Sequence, residues 1–169
     1  MLSQKLQDAL NDQINKEVFS EYLYLSMAAF SHTHDMDGIA NFFHVQAQEE
    51  HFHAMKIFNF IIDRGGTVQL KALDAPKTDF KSFIEVFDEQ LKHEQFVTKS
   101  INNLADMAIK ESDHALLSFL KWYIDEQVEE EATASKILNR VKMVDGKGEG
   151  LMLIDTELAA RVFTPPPAK

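Results

Sequence analysis

Cysteine is absent from the chain, and its absence excludes disulfide scaffolds, thiolate zinc sites and cysteine-ligated iron–sulfur centres. Any metal must therefore be held by carboxylate, imidazole, amide or phenol. Positive charge is in short supply: 17 Lys and Arg face 27 Asp and Glu, for a net charge of −10. Phosphate binding needs a cationic footprint, so neither nucleic acid nor an anionic membrane is an expected partner. An acidic surplus suits a protein that attracts cations. No apolar run approaches the ~18 residues that cross a bilayer. The opening MLSQKLQDALNDQ lacks the basic start and apolar stretch of a secretory signal, so the expected location is the cytoplasm.

Glycine and proline are also scarce, at 6 and 4. They cluster at Gly38, at Gly65 and Gly66, at Pro76, at Gly146, Gly148 and Gly150, and at Pro165 to Pro167. Between these marks apolar residues recur at three- and four-residue steps, which predicts helices. The first runs from about Ser3 to about His32, with Leu6, Leu10, Ile14, Tyr24 and Ala28 on one stripe. The second runs from about Asp37 to about Arg64, the third from about Phe80 to about Glu111, and the fourth from about Asp113 to about Met143. A short fifth helix, about Leu151 to Val162, is too short to be stable alone. Leu151, Leu153, Ile154 and Leu158 are therefore expected to bury against the bundle or other subunits. Strand signals are confined to a weak TVQL at Thr67–Leu70.

The fold class is all-α, with residues 1–169 forming one domain. The first two helices, and the third and fourth, are joined by short turns and should be antiparallel neighbours. The second connection, Gly66 to Asp79, is long. A helix of ~30 residues spans ~45 Å, and about fourteen extended residues reach ~46 Å. This linker can climb the full height of a bundle and make the second and third helices parallel.

The polar residues inside the apolar stripes are the informative anomaly. Glu17 lies between Ile14 and Tyr24; Glu50 and His53 lie between Ala47 and Ile57; Glu94 lies between Leu91 and Val97; Gln127 and Glu130 lie between Tyr123 and Ala134. Each long helix thus points a polar group at the core near mid-height. A lone buried carboxylate costs several kcal/mol unless paired, protonated or metal-bound. Any one of them could be salt-bridged instead, but the stripes offer no core-facing Lys or Arg at that level. Glu50 and His53, three residues apart, can grip one ion between them. Carboxylates with one imidazole and one amide suit Fe or Mn, with zinc possible but not preferred. Tyr24 is either a core residue whose hydroxyl finds a partner or a group placed to hydrogen-bond a ligand or donate an electron.

A second acidic cluster lies alongside. Glu49 neighbours Glu50, and Glu126, Glu129 and Glu130 share a face of the segment DEQVEEE. It reads either as a solvated acidic face or as an accessory metal site. His32, His34, His44, His51, His93 and His114 have no comparable partners in sequence and read as surface or satisfied core residues. Met27, Met55, Met107 and the aromatics read as packing.

Taken together, AQEEHFHAM, KHEQFVTKSI and FLKWYIDEQVEEE resemble the bacterial and archaeal non-haem ferritins, and the resemblance extends over nearly the whole chain. It implies a ferritin-like four-helix bundle with one long crossover. It also implies Fe(II) oxidation by O2 or H2O2 and storage of Fe(III) mineral inside a homo-oligomeric shell of twenty-four subunits. On this resemblance a first iron would use Glu17, Glu50 and His53, and a second would use Glu50 as a bridge with Glu94 and Glu130. Gln127 and Tyr24 would support them or bind weakly, and a third iron would use Glu49, Glu126, Glu129 and Glu130. Gln127-x-x-Glu130 replaces a second Glu-x-x-His, a departure that resembles the non-haem members with their unequal iron positions. His51 stands where the haem-binding members place a methionine, so haem is not expected. The rival readings are a di-iron oxygenase, which would need an apolar pocket beside the irons, and a metal-free helical bundle.

Overall fold

Three side-chain oxygens mark where long helices begin. Ser3 Oγ accepts the Leu6 N–H at 3.3 Å and starts α1 (Gln4–His32). Ser82 Oγ accepts the Glu85 N–H at 3.2 Å and starts α3 (Phe83–Lys110). Asp113 Oδ1 accepts the Leu116 N–H at 2.9 Å and starts α4 (His114–Met143). Each occupies an amide that the helix itself leaves unpaired. The computed structural model describes residues 2–165, so Pro166 and Pro167 of the C-terminal proline cluster lie outside the described residues. α2 (Asp37–Asp63) and α5 (Gly148–Leu158) complete the described helices. No strand occurs among the described residues.

α2 starts without a side-chain cap of its own. Its cap comes from α5, where Asp155 Oδ1 accepts the Ile39 N–H at 2.7 Å. At its other end α2 stops on Gly65, with φ +72°. There the Gly66 N–H donates to Ile61 O and the Gly65 N–H to Ile62 O, both at 2.9 Å, the paired bonds of a left-handed helix terminus.

Two helix boundaries differ from the sequence reading. The third helix begins at Phe83 rather than about Phe80, because Ser82 provides the cap; Phe80 still buries in the core. The fifth covers Gly148–Leu158 rather than about Leu151–Val162. It ends early because Asn41 Nδ2 reaches the carbonyls of Leu158, Ala159 and Arg161 at 3.0–3.3 Å, supplying donors for a terminus that would otherwise lack them. Leu151 and Ile154 bury as expected, whereas Leu153 is 68% exposed on the subunit.

The segment 64–82 runs along α1. Gln7 Oε1 accepts the Thr67 N–H at 2.8 Å, Asn11 Oδ1 accepts the Gln69 N–H at 2.8 Å, and Ser26 Oγ donates to Lys77 O at 2.5 Å. Side chains of α1 thus occupy the TVQL amides that a partner strand would otherwise have taken. Contacts pair the start of α1 with the end of α3 (Ser3 with Glu111) and its end with the start of α3 (Phe30 and Phe83 rings 5.4 Å apart). α1 is therefore antiparallel to α3. Its short turn makes it antiparallel to α2 as well, so α2 and α3 are parallel, as the long crossover requires.

The core is divided. One apolar cluster gathers Tyr24, Met27, Ile39, Phe42, Phe43, Phe87, Val141, Leu151 and Ile154. The other gathers Leu6, Leu10, Ile57, Ile61, Ile101, Leu104, Leu116 and Leu120 at the opposite end. Between them lies a belt of buried polar groups: Gln13, Glu17, Gln46, Glu50, His53, Gln90, Glu94, Gln127 and Glu130.

The α5–α2 junction yields a stability expectation. A Cβ on Gly38 would stand 1.8 Å from the Asp155 carbonyl oxygen. Gly38→Ala should therefore push α5 off α2 and lower the thermal midpoint by more than Asp155→Ala, which removes only the cap, worth about 1 kcal/mol. Melting both variants at one protein concentration checks this; a Gly38→Ala midpoint at or above that of Asp155→Ala would contradict it.

Candidate metal centre

Helical spacing brings the belt residues to one level. Glu17 of α1 and Glu50 and His53 of α2 each place a ligand atom within 4.8 Å of the others. His53 Nδ1 lies 3.6 Å from Glu50 Oε2, the short reach expected of residues one turn apart. Among the described residues this is the one group of three carboxylate or imidazole side chains so arranged. Glu94 and Glu130 fall outside that group yet act on it, for both raise the pKa of Glu50.

Every carboxylate of the belt except Glu50 has a neutral clamp. Gln13 Nε2 donates to Glu17 Oε1 at 2.8 Å. Gln13 is itself aligned by Ser100, whose hydroxyl donates to its Oε1 at 2.6 Å and accepts from Lys16 Nζ at 2.6 Å. Tyr24 donates its hydroxyl to Glu94 Oε1, while Gln127 Nε2 donates to Glu94 Oε2 at 3.2 Å. Gln46 Nε2 donates to Glu130 Oε2 at 3.0 Å. The His53 backbone carbonyl accepts from Tyr123 at 2.7 Å, and the His53 ring packs 5.2 Å from that of Trp122. Glu17 Oε2 and Glu50 Oε2 are buried and have no hydrogen-bond partner. Two orphaned carboxylate oxygens beside an imidazole are the donors a cation would satisfy, and a mixed oxygen–nitrogen set suits iron.

The electrostatics agree with that reading. Burial pushes the Glu94 carboxyl up to about 7 and Glu130 to about 8, the latter helped by the negative charge of Glu94. Glu50 rises well above the ordinary range, first through burial and then through Glu94, Glu17 and Glu130; burial also raises Glu17. His53 is driven down to about 4 by burial, which leaves its imidazole neutral and able to ligate.

The second acidic cluster is looser. Glu129 is exposed and Glu126 half-buried. Burial raises Glu126, followed by the charges of Glu129 and Glu49. A cation reaches this cluster from outside the helix stripes. Arg161 Nη2 contacts Glu49 Oε2 at 2.6 Å, and the guanidinium lies over the Phe42 ring at 4.7 Å. Its charge is felt at Glu130 too. Arg161 lies beyond the last turn of α5, where periodicity no longer indicates which way a side chain faces. Gln13, Gln46 and Ser100 were missed for a different reason: they are neutral, and their value lies only in what they touch. Glu17, Glu50, His53, Glu94, Gln127, Glu130 and Tyr24 all lie in or against the belt, as the stripe positions require.

Raised carboxyl pKa values make a statement about stability. A folded acid with a raised pKa binds more protons than its unfolded counterpart, so stability falls as pH climbs between the two values. His53 and His93, both lowered to about 4, contribute in the opposite direction below their ordinary 6.5. Above about 6.5 the carboxylates act alone. Metal-stripped protein should lose stability from pH 6.5 to 8, with about 2–4 °C of midpoint per kcal/mol lost, and saturating divalent metal should offset the loss. Calorimetry of stripped and loaded protein tests this, and a stripped-protein midpoint that rises across the window would refute it.

The chain can now be set beside known proteins. The family model described as a ferritin-like domain matches residues 7–144. A bacterial non-heme ferritin from Staphylococcus aureus (strain USA300) is 44% identical over 163 residues, covering 96% of this chain and 98% of its own. Another bacterial non-heme ferritin, from Staphylococcus haemolyticus, is 45% identical over 163 residues, with the same two coverages. Among solved structures, a closed form of the Archaeoglobus fulgidus ferritin, engineered by site-directed mutagenesis, superposes with a TM-score of 0.95 at 43% identity. That match covers 97% of this chain and 100% of the other.

Proposed function

Because the chain belongs to the ferritin family, we propose that it is an iron-storage subunit that oxidises Fe(II) at its mid-bundle belt and passes Fe(III) to a mineral held inside a multi-subunit shell. The observation that carries this reading is the buried trio Glu17, Glu50 and His53, two of whose carboxylate oxygens have no hydrogen-bond partner. Iron is the substrate and cargo here. In this reading a first Fe(II) is held by Glu17, Glu50 and His53, and a second by Glu50, Glu94 and Glu130. Each Fe(II) gives up one electron, so a pair delivers the two electrons that take O2 to peroxide or H2O2 to water.

The chain's own residues set the conditions. Gln13, Tyr24, Gln127 and Gln46 hold the carboxylates by hydrogen bonds that need no net charge, so ligand geometry is prepared before an ion arrives. Entering Fe(II) displaces the protons that Glu94 and Glu130, raised to about 7 and about 8, retain near neutral pH, which makes uptake proton-releasing. Tyr24, hydrogen-bonded to Glu94, is placed to steady that ligand and to supply an electron. Glu49, Glu126 and Glu129, with Glu130, form a third station for iron on its way out, and Arg161 is the charge an ion must displace from Glu49. Single-domain subunits of this kind, assembled as twenty-four copies in the cytoplasm, would enclose the mineral. The exposed Met152 and Leu153 on the subunit support burial between copies.

Anaerobic Fe(II) titration followed by rapid mixing with O2 tests the centre. Glu50→Ala removes the one carboxylate shared by both irons and should slow the fast absorbance phase by more than about tenfold while leaving helicity intact; ligand-supporting groups alone are worth about 10–100-fold. A wild-type rate and amplitude would overturn the assignment.

The flank is separable from the centre. Changing Glu49, Glu126 and Glu129 together to Gln should spare the first fast oxidation but alter oxygen stoichiometry and the recovery of rate over later iron additions, because a cation loses favourable potential there. Successive additions that match the wild type would make the cluster a solvated acidic face. Loss of the first phase would place the boundary between the two sites elsewhere.

A further inference from the structure

Two histidines far from the belt in function meet at the α1–α2 turn. His32 is the last residue of α1. His44 lies seven residues after Asp37, close to two turns, so Asp37 and His44 share a face of α2. The turn is fixed by its backbone: the Thr33 N–H donates to Ala29 O at 3.2 Å and the Met36 N–H to Ser31 O at 3.1 Å. The His32 ring bridges the two α2 residues. Its Nδ1 lies 2.9 Å from Asp37 Oδ1, and its Nε2 lies 3.3 Å from His44 Nε2.

These contacts define the chemistry. A carboxylate only accepts, so the His32 proton sits on Nδ1, and neutral His32 presents a bare lone pair at Nε2. That lone pair faces the corresponding nitrogen of His44. The 3.3 Å separation admits a hydrogen bond when His44 carries its proton on Nε2, and it is equally a spacing that a shared ion would impose. A tetrahedral ion with imidazole ligands at ~2.0–2.1 Å sets its ligand nitrogens ~3.3–3.4 Å apart. The pair already stands at ligand spacing, and Asp37 orients His32 as carboxylates orient metal-ligating histidines.

We propose that His32 and His44, with Asp37 as the orienting group, form a second metal site that takes a nitrogen-preferring divalent ion such as Zn(II), Cu(II) or Ni(II). Both imidazoles are exposed, so water completes the coordination and the ion enters without any opening of the bundle. Two imidazoles and no ligating carboxylate favour these ions by ligand type, in the order Cu(II) above Zn(II) and Ni(II). The belt offers mostly oxygen and the turn offers nitrogen, so one subunit separates cations by their ligand preference.

Calorimetric titration of the assembled, metal-stripped protein with Zn(II) is the test. Wild type should show a site per subunit that survives His53→Ala, which disables only the belt imidazole. His32→Asn and His44→Asn should each remove that site, and Asp37→Asn should keep it with affinity lowered about 10–100-fold. Sub-stoichiometric Cu(II) should give an electron paramagnetic resonance spectrum with nitrogen couplings that His44→Asn diminishes. Wild-type Zn(II) count and affinity in both histidine variants would overturn the proposal, leaving only a hydrogen bond between the rings. Silence of Asp37→Asn alone would overturn its orienting role. Fast iron oxidation should persist in His44→Asn, so failure here and failure of the iron reading leave different signatures.

Discussion

Four carboxylates at one height in a bundle repel one another, and burial denies them the water that would screen that repulsion. Most of the architecture can be read as a response to this constraint. The helices are long enough to place a substantial apolar cluster on either side of the belt, since the belt itself contributes little to stability. The hydrogen bonds that hold Glu17, Glu94 and Glu130 come from neutral groups. The clamps are amides and a phenol, which align a carboxylate without neutralising it. A cationic clamp would have made a permanent salt bridge and competed with any ion the site receives.

The clamps are unequal, and the inequality has a direction. Glu17 lies at the end of a chain that begins at the Lys16 ammonium and runs through Ser100 and Gln13, each donor facing an acceptor. Glu94 is held from two sides and Glu130 from one. Glu50 has one oxygen with no partner at all. The carboxylate without an amide or phenol clamp is thus the one whose pKa three other carboxylates raise, which is where a shared ligand would be of most use.

Much of this was legible in the sequence because helices convert spacing into direction. Glu17, Glu50, His53, Glu94, Gln127 and Glu130 stood out as polar residues in apolar stripes, and each is buried where its stripe placed it. The long connection fixed the parallel pair in advance, although Ser82 rather than Phe80 sets the start of α3. What stayed hidden depends on contacts between distant segments. The Asp155 cap on α2, the Asn41 grip on the end of α5 and the Arg161–Glu49 pair each join residues more than 110 positions apart. His32 and His44 were passed over for a subtler reason: twelve residues across a turn correspond to no period of a helix or a strand, so neither residue marks the other.

The divided core has a mechanical consequence. Buried apolar contact, and with it resistance to local opening, is concentrated toward the two ends of the bundle. The four long helices are in effect rods clamped at both ends and free to bow in the middle. Bowing costs least where the facing groups are hydrogen-bonded amides and carboxylates, which can exchange partners with water, and most where packed rings and aliphatic chains would have to separate. Breathing of the backbone therefore costs least at mid-height, while the packing at either end resists opening.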